Sequence, residues 1–355
     1  MQRSTRSSHE GYEIRAVLPS DADDITGLAR HLDSMNLPHE RSAIDKLLEL
    51  SAASFAGEVE AARAVYVFAV RDLARGHLVA TSMIVGQLGD AEAPYVYFEV
   101  KERALRSPRL GHHESFPVLS LAWSYEGPTE IGGLVVDPSM RRSPARVGTL
   151  ISYVRFLWMA MRPQLFRERI VAELMGPLHG DRSPLWDTLG QPCTGLSYRE
   201  ADRLSKHDKS FILDLFPRGE IDTRLLPREA REVIAQVGDQ SRGVEKLLRR
   251  IGFHFADRID PFDGGPHFEA QRTEVSLIKH AWEAKVELDS RPSGKQLMLI
   301  ARAYPKEPWF RALALPARRS HREEKVWLSA ESAAQLGVEA GDYVGTLPLW
   351  RGSRS

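Results

Sequence analysis

The segment that most constrains the fold is EIGGLVVDPSMRRSPARVG, residues Glu130–Gly148. Within it, Ile131–Val136 is a short apolar run that favours a buried strand, and the Asp-Pro pair that follows ends this run. Asp137–Val147 is a polar, arginine-rich turn, and Gly148–Met161 carries apolar residues at helical spacing. The segment therefore predicts a strand, a turn and an amphipathic helix in direct succession, which is typical of α/β proteins.

The arginines of this turn indicate an anion site at the start of the predicted helix. The first amides of a helix lack acceptors within the helix, and the helix dipole adds positive potential at the same end. Arg141, Arg142 and Arg146 would add charge-assisted contacts to a pyrophosphate close to Gly148. An ordinary strand, turn and helix without a ligand is equally compatible with the segment taken alone.

The segment resembles the core motif of the GCN5-related N-acetyltransferase (GNAT) fold, in which a strand, an arginine-glycine turn and a helix start hold coenzyme A. The resemblance implies that the backbone near Leu134 binds the pantetheine arm as an added strand would, and that an amide there polarises the thioester carbonyl. Leu134, Val135 and Val136 would line the acyl-CoA channel. The segment departs from the motif, because the usual glycines of the turn are missing and Pro144 lacks an amide donor.

Segments on both sides of the motif predict a mixed α/β protein. Upstream, β-branched and aromatic runs predict strands, and helical spacing predicts two helices. The predicted strands are Glu13–Val17, Ala64–Val70, Leu78–Val85 and Tyr95–Val100, and the predicted helices begin at Ser20 and span Ala43–Phe55. From Lys295 onward, short strand-like runs alternate with Pro and Gly, which predicts a small β-rich C-terminal module. We therefore expect an α/β (α+β) fold with a GNAT-like mixed sheet flanked by helices.

Two stretches raise the alternative of an internal duplication. IVAELMGPLHGDRSPLWDTLG (170–190) and VIAQVGDQSRGVEKLLRRIG (233–252) both fit a strand, loop, helix and glycine, with the second strand at Val233–Val237. They are compatible with two GNAT-like halves and also with chance recurrence of a short unit. The expected organisation is a tail over 1–10, an N-terminal half over 11–128, an acyl-CoA-binding half over 129–273, a connector over 274–294 and the C-terminal module over 295–355.

Composition argues against several classes of partner. The 355-residue chain has 48 basic and 48 acidic side chains, whereas proteins that bind nucleic acid over a wide surface usually carry a positive excess. The start is polar and no apolar run approaches a membrane span, so we expect a cytoplasmic protein without membrane partners. Cys193 is the single cysteine and the histidines lack metal-binding spacing, so we expect neither an intrachain disulfide nor a metal site.

Outside the core motif, several stretches resemble the arginine N-succinyltransferase family, in the same order along the chain. They are NLPHE (Asn36–Glu40), SFAGE (Ser54–Glu58), RSPLWDTLG (Arg182–Gly190), Tyr198–Pro217, Leu225–Val237, IDPFDGGPHFE (Ile259–Glu269) and Leu328–Val344. The resemblance implies an enzyme that moves the succinyl group of succinyl-CoA to the α-amino group of arginine or a related amino acid. It also implies small-molecule substrates, succinyl-CoA as a co-substrate without a permanently bound cofactor, and an oligomer of this chain alone or with a related subunit.

The family pattern places its succinyl-CoA contact on Leu134 but also reveals two departures. The family's catalytic histidine follows a Gln-Val pair, and Gly238 stands in its place. A polar Asn-Asp-His-Thr-Gly run of the family aligns with Trp123–Gly127, where only the glycine is shared. Two alternatives therefore stand beside arginine succinylation: a diverged paralogue with another amine acceptor, and a catalytically silent subunit that binds CoA.

Transfer to an amine needs a base that removes a proton from the acceptor ammonium. The candidates are Glu130, at a strand position where many members of the broader fold have a catalytic glutamate, Asp239, beside the missing histidine, and His267, after the Gly-Gly-Pro of IDPFDGGPHFE. Their ordinary alternatives are a salt-bridged carboxylate at a strand end, a helix cap beside Ser241 and an exposed loop histidine. The sequence leaves the choice among them open.

Overall fold

The computed structural model describes residues 11–31, 37–38, 40–141, 143–205, 209–289 and 296–349. Its strands are β1 (Tyr12–Ala16), β2 (Val65–Asp72), β3 (Leu78–Val85), β4 (Tyr95–Ser107), β5 (His112–Ser124), β6 (Thr129–Val136), β7 (Arg169–Glu173), β8 (Glu220–Asp222), β9 (His254–Ile259), β10 (Pro266–Gln271), β11 (Trp282–Leu288), β12 (Gln296–Ala303), β13 (Phe310–Ser320), β14 (Lys325–Leu328) and β15 (Tyr343–Pro348). Its helices are α1 (Ala22–Ala29), α2 (Arg41–Ala56), α3 (Val147–Met161), α4 (Gln191–Thr194), α5 (Tyr198–Ser205), α6 (Ser210–Leu215), α7 (Arg228–Val233), α8 (Arg242–Ile251), α9 (Ser276–His280) and α10 (Ala330–Leu336).

The chain forms two compact units, and each is assembled from separated parts of the sequence. The first contains the described residues of 1–86, 131–167 and 272–355, and the second contains those of 87–130 and 168–271. These units differ from the consecutive halves expected over 11–128 and 129–273. The difference arises because strands far apart in sequence pair with each other, as Ile14 of β1 does with Ala312 of β13.

The strands of the first unit follow the order β12-β15-β11-β14-β13-β1-β2-β3-β6. The last five strands of the chain close on themselves, because β12 pairs with β13 as well as with β15. Their interior is apolar and includes Val286, Ile300, Leu315 and Leu336. The stretch expected as a connector over 274–294 contains β11, so it contributes a strand to this closed set.

The helices α1 and α2 cover β2 and β3 in the first unit. The helix predicted across Ala43–Phe55 is confirmed as α2, and it ends at Gly57, whose φ is +79°. Ile44 and Leu48 are buried in the core that α2 forms with these strands. Ser51 Oγ accepts a hydrogen bond of 3.0 Å from a backbone amide of β2, which ties the helix to the sheet.

The predicted amphipathic helix after the arginine-rich turn is confirmed as α3, and almost all of its residues are buried. Arg155 lies in this buried helix, and its guanidinium donates hydrogen bonds to Ser152 and to the carbonyl oxygen of Gly132. Burial lowers the pKa of Arg155 to about 9. Among the helices of the described residues, none combines the length and apolar character needed to cross a bilayer.

The second unit orders its strands β7-β10-β9-β4-β5-β8, and the first two residues of β6, Thr129 and Glu130, pair in parallel with β7. β4 and β5 form a long antiparallel hairpin, of which the sequence predicted only Tyr95–Val100. Trp186 and Phe262 stack at 4.8 Å between ring centroids within the core of this unit.

The two stretches considered as duplicates have different structures. The strand expected at the start of 170–190 is confirmed as β7, but the predicted strand over Val233–Val237 is wrong. There α7 ends at Val233, and Ala235 has a φ of +58° and donates its amide to the carbonyl oxygen of Gly264 at 2.9 Å. A strand ladder cannot continue through this turn, so the two stretches do not repeat one unit.

Candidate active site

Strand β6 carries a glycine kink directly before Leu134. Gly133 has a φ of +56°, in the left-handed region that favours glycine, and a Cβ there would lie 2.9 Å from the Met83 side chain. Beyond the kink, Leu134 and Val136 are half-buried, whereas Val135 packs into the core under α1 and α2. Alternation along the strand therefore places Leu134 and Val136 on one face and Val135 on the other.

Asp137 organises the turn between β6 and α3. Its Oδ1 accepts hydrogen bonds from the amide and the hydroxyl of Ser139 at 2.8 and 2.6 Å, and these bonds hold its pKa below the ordinary value. Arg141 and Arg146 are both exposed, and Arg146 occupies the N-cap of α3 with a φ of +50°. Arg142 lies outside the described residues. The two described arginines thus carry their charges immediately before the helix start.

Gly148 is the second residue of α3. A Cβ added there would meet the Cγ2 atom of Val136 at 3.5 Å, an ordinary van der Waals distance, so the surrounding protein does not itself require glycine.

A cluster of buried polar side chains lies in the second unit where β7, β9 and β10 meet. Glu173 is the last residue of β7, His267 is paired directly opposite it on β10, and Asp260 follows the last residue of β9. One oxygen or nitrogen from each of these three side chains lies within 4.8 Å of the others. Donors of these types can hold a metal ion or a positively charged group.

His267 is held in a fixed orientation inside this cluster. Its Nδ1 shares a 2.6 Å hydrogen bond with the Tyr95 hydroxyl, and its Nε2 lies 3.8 Å from Glu173 Oε1. Nε2 is buried and has no hydrogen-bond partner among the residues that the structure describes. Burial lowers the pKa of His267 to about 3, so the ring is neutral at physiological pH. The alternative of an exposed loop histidine is therefore wrong.

The electrostatic balance of the cluster depends on Lys209. Burial raises the pKa values of Glu173 and Asp260, and the nearby Lys209 ammonium opposes both shifts. Burial alone would lower the pKa of Lys209, but attraction to Glu173, Asp260 and Glu130 raises it. Glu130 is only 3 % exposed and also acts on the pKa of Tyr95. It therefore belongs to the same electrostatic environment.

The FDGGP loop between β9 and β10 fixes the position of the cluster. Asp260 Oδ1 accepts a 2.7 Å hydrogen bond from the Phe262 amide. The Asp263 carboxyl accepts bonds from the amides of Gly265 at 2.7 Å and Gly176 at 3.0 Å, while burial, followed by the adjacent Asp260, raises its pKa to about 8. A Cβ on Gly265 would lie 2.0 Å from a backbone carbonyl oxygen, so only glycine allows this approach.

Gly238 lies against the chain that follows β7. Its amide donates a 2.9 Å hydrogen bond to the carbonyl oxygen of Met175, and a Cβ would lie 2.7 Å from the carbonyl oxygen of Gly176. This backbone excludes any side chain at position 238. The neighbouring Asp239 has an 88 % exposed side chain that pairs with Arg242 at 2.9 Å, and Ser241 rather than Asp239 is the N-cap of α8. The structure thus groups Glu130 and His267 electrostatically with the cluster and leaves Asp239 in solvent.

Comparison with known proteins decides the family. A family model described as "Arginine N-succinyltransferase beta subunit" matches residues 12–277. The chain belongs to the arginine N-succinyltransferase family. An arginine N-succinyltransferase from Yersinia enterocolitica is 30 % identical over 344 residues, covering 95 % of this chain and 97 % of the relative. One from Escherichia coli is 29 % identical over 336 residues, covering 93 % and 96 %.

A solved structure shares the whole fold. The arginine/ornithine succinyltransferase subunit AI from Pseudomonas aeruginosa matches with a TM-score of 0.80 at 28 % identity, covering 96 % of this chain and 99 % of that chain. The GNAT-like α/β fold expected from the sequence is confirmed. Membership in the arginine N-succinyltransferase family makes the chain an acyl-CoA-dependent acyltransferase that acts on small molecules.

Sequence reasoning missed the residues that surround His267. Tyr95, Glu173, Lys209 and Asp260 were not candidates, although the last three lie in stretches that carry the family resemblance or the predicted strand β7. No residue spacing signals their proximity, because β7, β9 and β10 come together through antiparallel pairing across about ninety residues.

Proposed function

We propose that this chain transfers the succinyl group of succinyl-CoA to the α-amino group of arginine or a closely related basic amino acid, in the cytoplasm. The observation that carries the proposal is the full-length similarity to relatives named arginine N-succinyltransferase. A buried cluster rich in carboxylates supports a cationic acceptor, because such a cluster attracts an ammonium group.

The donor would bind along β6 and at the start of α3. The kink at Gly133 supports an exposed backbone at Leu134 for the pantetheine arm, and the half-buried Val136 would line the channel. Val135 would contribute its backbone, since its side chain is in the core. Arg141, Arg142 and Arg146, with the amides near Gly148, would neutralise the pyrophosphate.

The reaction would proceed by direct attack of the amine on the thioester. The acceptor ammonium gives one proton to a base, and its nitrogen then forms a C–N bond with the thioester carbonyl carbon. The C–S bond breaks, and the departing CoA thiolate takes up the second proton of the nitrogen. Each turnover therefore releases one proton to solvent, together with the amide and free CoA thiol.

Among the sequence candidates for the base, the structure favours a carboxylate. His267 is a weak base because burial holds its pKa near 3, whereas Glu130 is buried on the strand that continues to Leu134. Asp239 is exposed and paired with Arg242, so we give it no catalytic role.

A second candidate function is transfer to a different amine. Gly238 cannot carry the family's histidine, and Trp123, which stands in the family's polar run, is 39 % exposed with the Arg218 guanidinium 5.4 Å from its ring centroid. These differences favour a changed acceptor pocket, or a CoA-binding chain that supports an active related subunit in an oligomer.

A thiol-release assay separates these functions. Purified protein with succinyl-CoA is tested against arginine, ornithine, lysine and simple primary amines, with acetyl-CoA as the donor control. Turnover with arginine and succinyl-CoA supports the first proposal, and turnover with another amine alone supports the second. Calorimetric CoA binding without thiol release for any amine would indicate a silent subunit. Mass photometry of the same sample would give the oligomeric state.

A further inference from the structure

We propose that Glu173, Asp260 and His267 form a binding site for a primary ammonium group, and that this group is the acceptor amine. The identity of the ammonium rests on the proposed function, whereas the site itself rests on the geometry of the second unit. Glu173 replaces Glu130 as the residue that takes the proton, because Glu173, unlike Glu130, contributes an atom to this cluster. His267 is a positioning residue.

Two independent observations support the site. The first is the convergence of three polar atoms from β7, β10 and the residue after β9 within 4.8 Å of one another. The second is His267 Nε2, which is fully buried, faces Glu173 at 3.8 Å and has no partner within the described part of the chain. A buried polar atom without a hydrogen-bond partner is costly, so a ligand that hydrogen-bonds it would recover this cost. In the tautomer whose Nδ1–H donates to the Tyr95 oxygen, Nε2 carries the lone pair and accepts a hydrogen bond from an ammonium.

The spacing of the three atoms allows an ammonium as well as a small metal ion. Ligands at about 2.0–2.1 Å from a tetrahedral zinc ion are separated by roughly 3.4 Å. Acceptors at about 2.8 Å from a tetrahedral ammonium nitrogen are separated by roughly 4.6 Å. The Glu173–His267 distance of 3.8 Å lies between these two values, and the 4.8 Å within which all three atoms lie allows either ion, so the choice between them rests on charge.

Charge also fits a monovalent cation. Glu130, Glu173 and Asp260 would carry three negative charges when ionised, against the two positive charges of Lys209 and Arg258. An acceptor ammonium would reduce the remaining negative charge, and loss of its proton to Glu173 would leave a neutral amine beside a neutral carboxylic acid. Burial raises the pKa of Glu173, which brings this carboxylate closer to the strength needed for proton transfer near neutral pH.

The site lies beside position 238, where Gly238 stands in place of the family's histidine. Position 238 is closed by the carbonyl oxygens of Met175 and Gly176, which follow Glu173 by two and three residues. His267 is paired opposite Glu173 on β10. Both positions therefore border the same end of β7, and in this chain the imidazole of His267 lies there.

The test compares His267→Asn with Glu173→Gln and Asp260→Asn. Asparagine keeps a polar group near the position of Nδ1, facing Tyr95, and removes the group at Nε2, so H267N isolates the inward-facing nitrogen. The matched control is Asp239→Asn, which alters an exposed carboxylate outside the cluster. Calorimetry with arginine and with Nα-acetylarginine, both in the presence of CoA, measures amine binding without turnover.

We expect arginine to bind at least about tenfold more tightly than Nα-acetylarginine, and each of the three cluster variants to weaken arginine binding at least about tenfold, or about 1.4 kcal/mol. CoA affinity should stay unchanged, cooperative thermal unfolding should show that each variant is folded, and D239N should match the wild type. In turnover, E173Q should lower kcat most, whereas H267N should mainly raise KM for the amine.

Opposite results would overturn the site. The first is that the cluster variants bind arginine as tightly as the wild type does, while the Tm and CoA affinity of the variants are intact. The second is that the wild type contains stoichiometric zinc, which is lost in H267N. If arginine itself does not bind, the proposed function fails for that substrate, and the same variants are tested with the primary amine that the thiol-release panel identifies. The ammonium site then fails only if binding of that amine is insensitive to the variants.

Discussion

The Tyr95 hydroxyl and His267 Nδ1 share a 2.6 Å hydrogen bond between β4 and β10. Burial, followed by the charge of Glu173, raises the pKa of Tyr95 well above its ordinary value, so the phenol stays protonated at neutral pH. The hydrogen bond fixes the ring plane and leaves only Nε2 to face the carboxylates. A neutral, oriented imidazole inside an acidic cluster should have a measurable effect on stability.

We predict that His267→Asn reduces the sensitivity of the protein to mild acid. The pKa of His267 is lowered to about 3 mainly by burial, whereas an unfolded histidine titrates near 6.5. Between these values the unfolded chain binds a proton that the folded chain lacks, so stability falls as the pH falls, by at most about 1.4 kcal/mol per pH unit. Thermal unfolding at pH 7 and pH 5 should show a larger decrease in Tm for the wild type than for H267N.

The surrounding groups do not obscure this comparison. Glu173 and Asp260 have raised pKa values in the folded protein, so their protonation stabilises the fold as the pH falls. Both residues are retained in H267N. Lys209 and Arg258, the cations that act on His267, are also retained. Equal pH dependence in the two proteins would mean that the ring is charged or exposed in the fold.

We predict that Gly238→His does not restore the family's histidine function. A Cβ at this position would lie 2.7 Å from the carbonyl oxygen of Gly176, so both G238H and Gly238→Ala should lower the free energy of unfolding by about 1–3 kcal/mol. The control is Gly243→Ala in α8, where a Cβ meets no atom within 4 Å and alanine should be neutral or stabilising. Denaturant unfolding and thiol release measure the outcome, and a rise in kcat for G238H at unchanged stability would contradict it.

The core motif was predictable from sequence because its signals are local. The apolar run before Asp137, the helical spacing after Gly148 and the helical spacing across Ala43–Phe55 each depend on a few consecutive residues, and all three elements are confirmed. Periodicity and turn residues act within one element, so they survive into the folded structure.

The cluster could not be predicted in the same way, since its members become neighbours only through strand pairing. His267 and Glu173 are almost one hundred residues apart, and their proximity follows from the register of β10 against β7. The failure at Val233–Val237 has a related cause. A β-branched run predicted a strand there, but the hydrogen bond from Ala235 to the FDGGP loop holds a left-handed turn instead.

We predict that Gly133→Ala selectively weakens binding of the acyl donor. Alanine at a φ of +56° is strained by about 1 kcal/mol, and its Cβ would press on Met83 at 2.9 Å, so the kink before Leu134 should relax. KM for succinyl-CoA should rise several-fold while KM for the amine stays constant. Gly27→Ala in α1, a site with open space around it, is the control. An effect on the amine alone would place the kink at the acceptor instead of the donor.

The last prediction concerns the arginines that precede α3. Charge-assisted hydrogen bonds to phosphate contribute about 1.5–3 kcal/mol, so Arg141→Ala and Arg146→Ala should each raise KM for succinyl-CoA about tenfold or more. Arg146→Gly would remove the same charge but relieve the backbone strain at φ +50°. The R146G protein should therefore be more stable than R146A, while both variants lose the same affinity for the donor. Arg250→Ala, an exposed arginine on α8, is the control. Because the contact is ionic, the wild-type KM should rise with salt more steeply than that of R141A or R146A, and parallel salt dependence would show that these arginines do not contact the donor phosphates.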